Sequence, residues 1–166
     1  MLFIEQVLAA LNAAQVRYVV VGGIAVVLHG VERFTTDLDL VVDLAPHEAL
    51  KAIEVLSALG LRPRVPVDPR QFADTETRQS WIDEKNMKVF AMIDYKEPTR
   101  VVDVFVKAPL PFEELWSRAS ILSLKDTPTR VAAISDLIQI KRDAGRPQDW
   151  DDVRLLRELQ EKTSAR

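Results

Sequence analysis

A glycine pair that ends a short β-branched run is the feature that most constrains the fold. Residues 17–21 are rich in valine and stop at Gly22-Gly23, after which residues 24–29 have a helical pattern. This order predicts a buried strand that turns directly into a helix. Such a turn presents unpaired backbone N–H groups and the positive end of the helix, which together favour an anion such as phosphate. Glycine lets the phosphate approach the backbone because it carries no side chain.

Acidic residues follow on two predicted strands. Asp37 and Asp39 alternate along residues 37–42, so their carboxylates are expected on one face of the strand. Neighbouring carboxylates repel each other unless a cation lies between them, and an oxygen-bound divalent ion is the usual solution. Asp103 lies among apolar residues on the predicted strand 100–106, where an unpaired charge is costly.

These acids suggest a two-metal site if their strands are neighbours. Asp37 and Asp39 would then contact both ions, and Asp103 would complete the second ion, which also contacts an attacking hydroxyl. A triphosphate on the Gly22-Gly23 turn and metals on the strands are the components of in-line displacement at phosphorus. Alternatively, the glycines only turn a strand into a helix, and Asp103 pairs with a neighbouring basic residue, either Arg100 or Lys107.

Composition leaves carboxylates as the main chemical resource. The 166 residues include no cysteine and two histidines, which excludes disulfides, Cys-based zinc sites, iron–sulfur clusters and thiol nucleophiles. The net charge of -3 argues weakly against broad nucleic-acid binding but does not exclude a local basic patch. No signal peptide or membrane-spanning run is visible, so the expected location is the cytoplasm.

The order of the motifs resembles the minimal nucleotidyltransferase domain of the DNA polymerase β superfamily. That family has a Gly-Gly or Gly-Ser pair, then Asp-x-Asp or Asp-x-Glu, then a third Asp on a later strand. The corresponding residues in this sequence are Gly22-Gly23, Asp37/Asp39 and Asp103. More narrowly, residues 22–39 and 135–152 resemble the AbiEii-like branch of abortive-infection proteins. Where the family often has Ser at the second position of the pair, Gly23 leaves the phosphate contact to the backbone.

The resemblance implies an α/β (α+β) nucleotidyltransferase fold with a mixed sheet and helices mainly on one face. We expect one domain over residues 1–166, with a sheet-containing catalytic core (1–134) and a C-terminal helical pair (135–162). Its expected activity moves a nucleoside monophosphate from a nucleoside triphosphate, such as ATP, to a hydroxyl acceptor. The expected metals are two Mg²⁺ ions, or Mn²⁺, bound by Asp37, Asp39 and Asp103.

Other residues are candidates for binding the nucleotide or for supporting helices. Arg33 and Thr35 precede the acids closely enough to touch phosphate or base. By resemblance, Lys141 would point toward the nucleotide phosphates, whereas its helical pattern alone predicts a solvated lysine. Asp149 and Asp152 are three positions apart at a predicted helix start, where capping and the helix dipole are the favoured explanation.

Other Asp-x-Asp chemistries fit the chain poorly, and the acceptor stays open. Haloacid-dehalogenase-type phosphatases have a hydrophobic strand before the motif, whereas the polar residues 33–36 precede Asp37, and 36 residues are too few for a nucleotide-sugar fold. A catalytically silent, antitoxin-like module that binds a nucleotide or a partner is the alternative function. The AbiEii resemblance implies a toxin–antitoxin role with tRNA or a partner protein as acceptor, and small-molecule acceptors occur elsewhere in the superfamily. We expect a homodimer or a partner chain to complete acceptor recognition.

The remaining pattern predicts helices and hairpins around this core. Residues 62–69 are predicted to be a loop or an edge strand, and part of 71–85 to be helical. Apolar spacing predicts further helices over 2–14, 46–59, 112–118, 135–144 and 148–162, and hairpins over 87–106 and 121–132.

Overall fold

The computed structural model describes residues 2–164, which form seven strands and seven α-helices. The strands are β1 (Tyr18–Val21), β2 (Leu38–Val42), β3 (Arg62–Pro63), β4 (Val89–Ile93), β5 (Val101–Phe105), β6 (Ser120–Leu124) and β7 (Thr127–Val131). The helices are α1 (Leu2–Ala13), α2 (Gly22–Leu28), α3 (Pro46–Ala58), α4 (Thr75–Lys85), α5 (Phe112–Arg118), α6 (Ile134–Ala144) and α7 (Pro147–Ser164). A 3₁₀ turn, Pro69–Ala73, precedes α4.

The strands form one mixed sheet in the order β3-β4-β5-β2-β1-β7-β6. β2 is parallel to β5 and β1 is parallel to β7, whereas the other neighbouring strands are antiparallel. The predicted mixed α/β fold is therefore confirmed. β5 lies between β4, its neighbour in sequence, and β2, which is distant in sequence. The strand order therefore brings Asp39 and Asp103 together.

Alternation along the central strands separates a core face from a polar face. Phe90 on β4 and Val102 and Val104 on β5 are buried in the main core. On that side, Trp81 of α4 stacks on Phe90 with ring centroids 5.2 Å apart, which attaches the helix to the sheet. Asp103 lies between the two buried valines, so it projects from the opposite face.

The segment between α3 and β4 contains the short strand β3, the 3₁₀ turn and α4. Only Arg62–Pro63 forms an edge strand, which fits the prediction for residues 62–69. In the partly helical stretch, α4 begins after Asp74, whose carboxylate accepts a hydrogen bond from the Thr77 backbone N–H at 2.9 Å. Within residues 2–164, no helix combines the length and apolar composition needed to cross a membrane.

Candidate active site

The structure brings the three predicted acids to the centre of the sheet. Asp39 on β2 is directly opposite Asp103 on the parallel neighbour β5. Asp37 immediately precedes β2 and is exposed, and Thr36 donates a hydrogen bond from its hydroxyl to the Asp37 carboxylate at 3.2 Å. Residues opposite each other on adjacent strands share a face, so the carboxylates of Asp39 and Asp103 lie side by side.

This arrangement disfavours ionisation of both central acids. Burial, followed by the charges of Asp103 and Asp37, raises the pKa of Asp39 to about 7. Burial and the charge of Asp37 also raise the pKa of Asp103, although Arg64 acts in the opposite direction. In addition, Asp103 Oδ1 is buried and has no hydrogen-bond partner. A buried oxygen without a donor is costly, so this side of the sheet is suited to a positive ligand.

A divalent cation fits the residues present. Within residues 2–164, no three His, Asp or Glu side chains already form a complete metal-binding cluster. However, the two neighbouring carboxylates with raised pKa values and the unpaired Asp103 oxygen are hard oxygen donors that repel one another. Such a donor set matches the preference of Mg²⁺ and Mn²⁺, and a bound cation would remove the repulsion.

The glycine turn lies directly against the acids. Gly22 has a φ of +67°, and a Cβ atom at this position would overlap the Asp39 carboxylate. A Cβ on Gly23 would lie 2.5 Å from Thr35 Oγ1 and 3.5 Å from the guanidinium carbon of Arg33. The predicted residues Gly22, Gly23, Arg33 and Thr35 are therefore close together beside Asp39, and a side chain at either glycine would require a neighbouring group to shift.

Lys141 reaches the same region from α6, but it is not solvated. Its side chain is 9% exposed, and its ammonium Nζ lies 2.7 Å from Asp152 Oδ2 and 3.7 Å from Asp149 Oδ1. Asp152 also pairs with Arg33. The interpretation of Lys141 as a solvated surface lysine is thus wrong, because two buried carboxylates of α7 hold it inside the protein.

Asp149 and Asp152 are the charged residues whose importance sequence reasoning underestimated. Asp149 does contact the start of α7, since its carboxylate accepts from the Arg146 backbone N–H at 3.3 Å. Both acids are nevertheless buried ion partners, which capping alone does not require. Their positions relative to the buried Val153 and Leu156 follow helical spacing, and this pattern was the available signal that they lie on the inner face of α7.

Positive charge from α6 and from the turn between α6 and α7 acts on Asp39. The charges of Lys141 and Arg146 both lower the pKa of Asp39, against the larger effect of burial. Burial disfavours the charge of Asp149, but hydrogen bonds from Arg146 and the charge of Lys141 hold its pKa below its usual value. The site therefore combines carboxylates on the sheet with cations from the loop before β2, from α6 and from the turn between α6 and α7.

Residues 3–107 match the aminoglycoside-2''-adenylyltransferase family, and the chain belongs to this family. The match includes the glycine turn and all three acids but ends before α5. No curated protein matches the chain. The narrower resemblance to the AbiEii-like branch is not confirmed.

Solved structures with the same fold support a nucleotidyltransferase architecture. The solution structure of the antibiotic-resistance factor ANT(2'')-Ia has a TM-score of 0.60 at 17% identity, covering 93% of this chain and 80% of that chain. ANT(2'')-Ia in complex with adenylyl-2''-tobramycin has a TM-score of 0.56 at 14% identity, covering 98% and 93%. A protein from Thermotoga maritima assigned as a nucleotidyltransferase has a TM-score of 0.58 at 14% identity, covering 91% and 88%.

Proposed function

We propose that this chain transfers a nucleoside monophosphate from a nucleoside triphosphate to a hydroxyl group, with ATP as the first donor to test. The Asp39–Asp103 pair is the observation that carries the proposal. Two carboxylates with raised pKa values lie in register on adjacent strands, against a turn where a Cβ on Gly22 would overlap Asp39. Membership of an adenylyltransferase family supports the same type of reaction.

The acids would divide the chemistry between metal binding and orientation of the acceptor. Asp37, Asp39 and Asp103 are the residues that would hold Mg²⁺, which supplies positive charge to the phosphates and to the reacting oxygens when bound. Asp103 would also orient the acceptor hydroxyl through its unpaired oxygen. The hydroxyl oxygen would form a bond to the α-phosphorus as its proton passes to the Asp103 carboxylate. The bond to the β-phosphate oxygen would break, and pyrophosphate would leave.

The residues around the glycine turn would bind the triphosphate. Gly22 and Gly23 allow phosphate oxygens to approach the backbone, and Thr35 supplies a hydroxyl next to Gly23. Arg33 lies next to Gly23, and Lys141 shares Asp152 with Arg33 and acts on Asp39, so both would supply positive charge. Charge-assisted hydrogen bonds of this kind are the strong contacts expected for phosphate.

We propose a small molecule with a free hydroxyl as the acceptor. The matched family is named for adenylylation of aminoglycosides, which supports this class. A tRNA 3′ end or a partner protein is the alternative that the AbiEii resemblance implies, and a toxin–antitoxin role belongs to that alternative.

Label transfer tests the proposal directly. The protein is incubated with Mg²⁺ and ATP labelled at the α-phosphate, in the presence of tobramycin, of total tRNA, or of neither. Transfer that Asp103→Asn abolishes and that Asp83→Asn, an exposed acid on α4, retains is the expected result. A rise in Tm with MgATP but no transfer would indicate a catalytically silent nucleotide-binding module, and neither transfer nor a rise in Tm would contradict the proposal.

A further inference from the structure

Five charged side chains join the loop before β2 to the last two helices. We call this group the C-terminal ion cluster, and its members are Arg33, Lys141, Arg146, Asp149 and Asp152. Three cations face two carboxylates within the cluster. One positive charge is therefore not compensated inside it, which leaves the cluster attractive to an anion.

Asp152 connects the two parts of the cluster that lie closest to the glycine turn. Its Oδ2 lies 2.7 Å from the Lys141 ammonium Nζ and also pairs with the Arg33 guanidinium. Arg33 in turn lies against Gly23, because a Cβ there would be 3.5 Å from the guanidinium carbon. A single carboxylate on α7 thus holds one cation from the loop and one from α6.

Lys141 depends on Asp152 for its position. Both side chains are 9% exposed, so a charge without a partner would be costly at either position. The other carboxylate near Lys141 is Asp149, at 3.7 Å, and Arg146 already binds it through two hydrogen bonds of 2.8 and 3.1 Å. Without Asp152, the ammonium would therefore lose its close partner and keep only a shared, distant one.

We propose that Asp152 is a positioning residue for nucleotide binding, which holds Arg33 and Lys141 in the orientation that receives the triphosphate. This inference rests on the proposed function. Asp152 does not itself bind the nucleotide, since its carboxylate would repel phosphate. Its effect on affinity must then pass through the two cations and must grow with the number of phosphates on the ligand.

Titrations of nucleotides against the full chain test this dependence. Thermal stabilisation gives the Kd of the wild-type protein and of Asp152→Asn for MgATP and for AMP. Removing the carboxylate that orients two charged donors is expected to raise the Kd for MgATP about tenfold. The Kd for AMP, which lacks the β- and γ-phosphates, is expected to stay unchanged, and Asp152→Glu is expected to recover part of the MgATP affinity.

Matched variants separate binding from stability. Glu158→Gln disrupts an exposed pair with Arg154 on the same helix and is expected to leave both Kd values unchanged. The double variant Lys141→Met/Asp152→Leu removes both charges of the buried pair. It leaves only Arg33 without a partner, and that side chain is 33% exposed, so the variant is expected to fold even if Asp152→Asn does not. We expect this folded double variant to bind MgATP as weakly as Asp152→Asn does.

Two results would overturn the inference. An MgATP Kd within about twofold of the wild-type value in the folded Asp152 variants would mean that the cluster only stabilises α6 and α7. An equal loss of affinity for MgATP and AMP would likewise indicate a general structural defect. Failure of the wild-type protein to bind any of the four nucleoside triphosphates with Mg²⁺ would contradict the proposed function, and this inference with it.

Discussion

Individual residues of the candidate site carry charge that folding by itself does not favour. Asp39 and Asp103 lie side by side on adjacent strands, and burial raises the pKa of both. Asp103 also has an oxygen without a hydrogen-bond donor. Groups arranged in this way lower the stability of the metal-free protein and are typical of sites where function sets the residue type.

Asp39→Asn is expected to stabilise the metal-free protein. The folded-state pKa of about 7 lies above the ordinary value of 3.8, so ionised Asp39 destabilises the fold, and this cost is fully present above pH 7. At pH 8 with a chelator, denaturant unfolding should show a gain of about 1–2 kcal/mol because the neutral amide removes repulsion and desolvation. Asp151→Asn, at an exposed position on α7, should change stability little, and an equal gain there would contradict the explanation.

Gly22→Ala is expected to destabilise the protein more than Gly60→Ala. Both glycines have positive φ angles, +67° and +91°, so both substitutions carry backbone strain. A Cβ at Gly60 meets nothing within 4 Å, whereas one at Gly22 overlaps the Asp39 carboxylate. The extra loss at Gly22, about 1 kcal/mol or more by denaturant unfolding, measures that overlap. Equal losses at the two positions would show that the turn has room for a side chain.

At the scale of secondary-structure elements, aromatic contacts attach α4 to the sheet. Few residues of α4 are apolar, so its own pattern gives it little reason to pack. Trp81 supplies the attachment, because its ring stacks on Phe90 with the centroids 5.2 Å apart. The Phe90 ring also packs against Phe72 of the 3₁₀ turn, with the centroids 5.4 Å apart. The element between α3 and β4 therefore depends on a few large side chains rather than on a long amphipathic face.

Trp81→Ala is expected to lower the free energy of unfolding by about 3 kcal/mol, as for other large-to-small substitutions in a core. Trp150, which is 51% exposed on α7, provides a matched control. Trp150→Ala is expected to change stability by about 0.5 kcal/mol or less. Denaturant unfolding of both variants checks the difference, and a small effect at Trp81 would show that α4 is attached by other contacts.

At the scale of the whole molecule, the site is assembled from parts that are distant in the chain. The strand order places β5 beside β2, and α6 and the turn after it bring Lys141 and Arg146 close enough to lower the pKa of Asp39. Nucleotide binding is therefore expected to stabilise the C-terminal helices α6 and α7 as well as the sheet. This link runs through contiguous ion pairs, Arg33 to Asp152 and Asp152 to Lys141.

MgATP is expected to slow hydrogen exchange in α6 and α7 and in the turn at Gly22. A ligand at 100 times its Kd stabilises the folded state by about 2.7 kcal/mol, which is enough to slow local and global opening. Helix α4 packs on the face of the sheet opposite Asp103, so it serves as the internal control and should gain less protection from exchange. Adding a chelator should remove the effect, and protection confined to β2 and β5 would argue against a link to the C-terminal helices.

The sequence by itself determined the parts of the site that depend on local pattern. Valines followed by glycines predicted β1 and its direct turn into α2. Alternation predicted one face for Asp37 and Asp39; Asp39 lies on β2, and Asp37 immediately precedes it. These patterns arise from the geometry of strands and helices, so a short stretch of sequence contains them. The mixed sheet that the family resemblance implied is also confirmed.

Only the tertiary structure decided which distant residues meet. The position of β5 beside β2, and hence Asp103 opposite Asp39, results from how the whole sheet buries its apolar face. The burial of Lys141 with Asp152 likewise depends on how α6 and α7 pack together. The spacing of apolar residues identifies which face of a helix or strand is buried, but not the element that covers that face. Burial and ion pairing between elements are properties of the assembled fold.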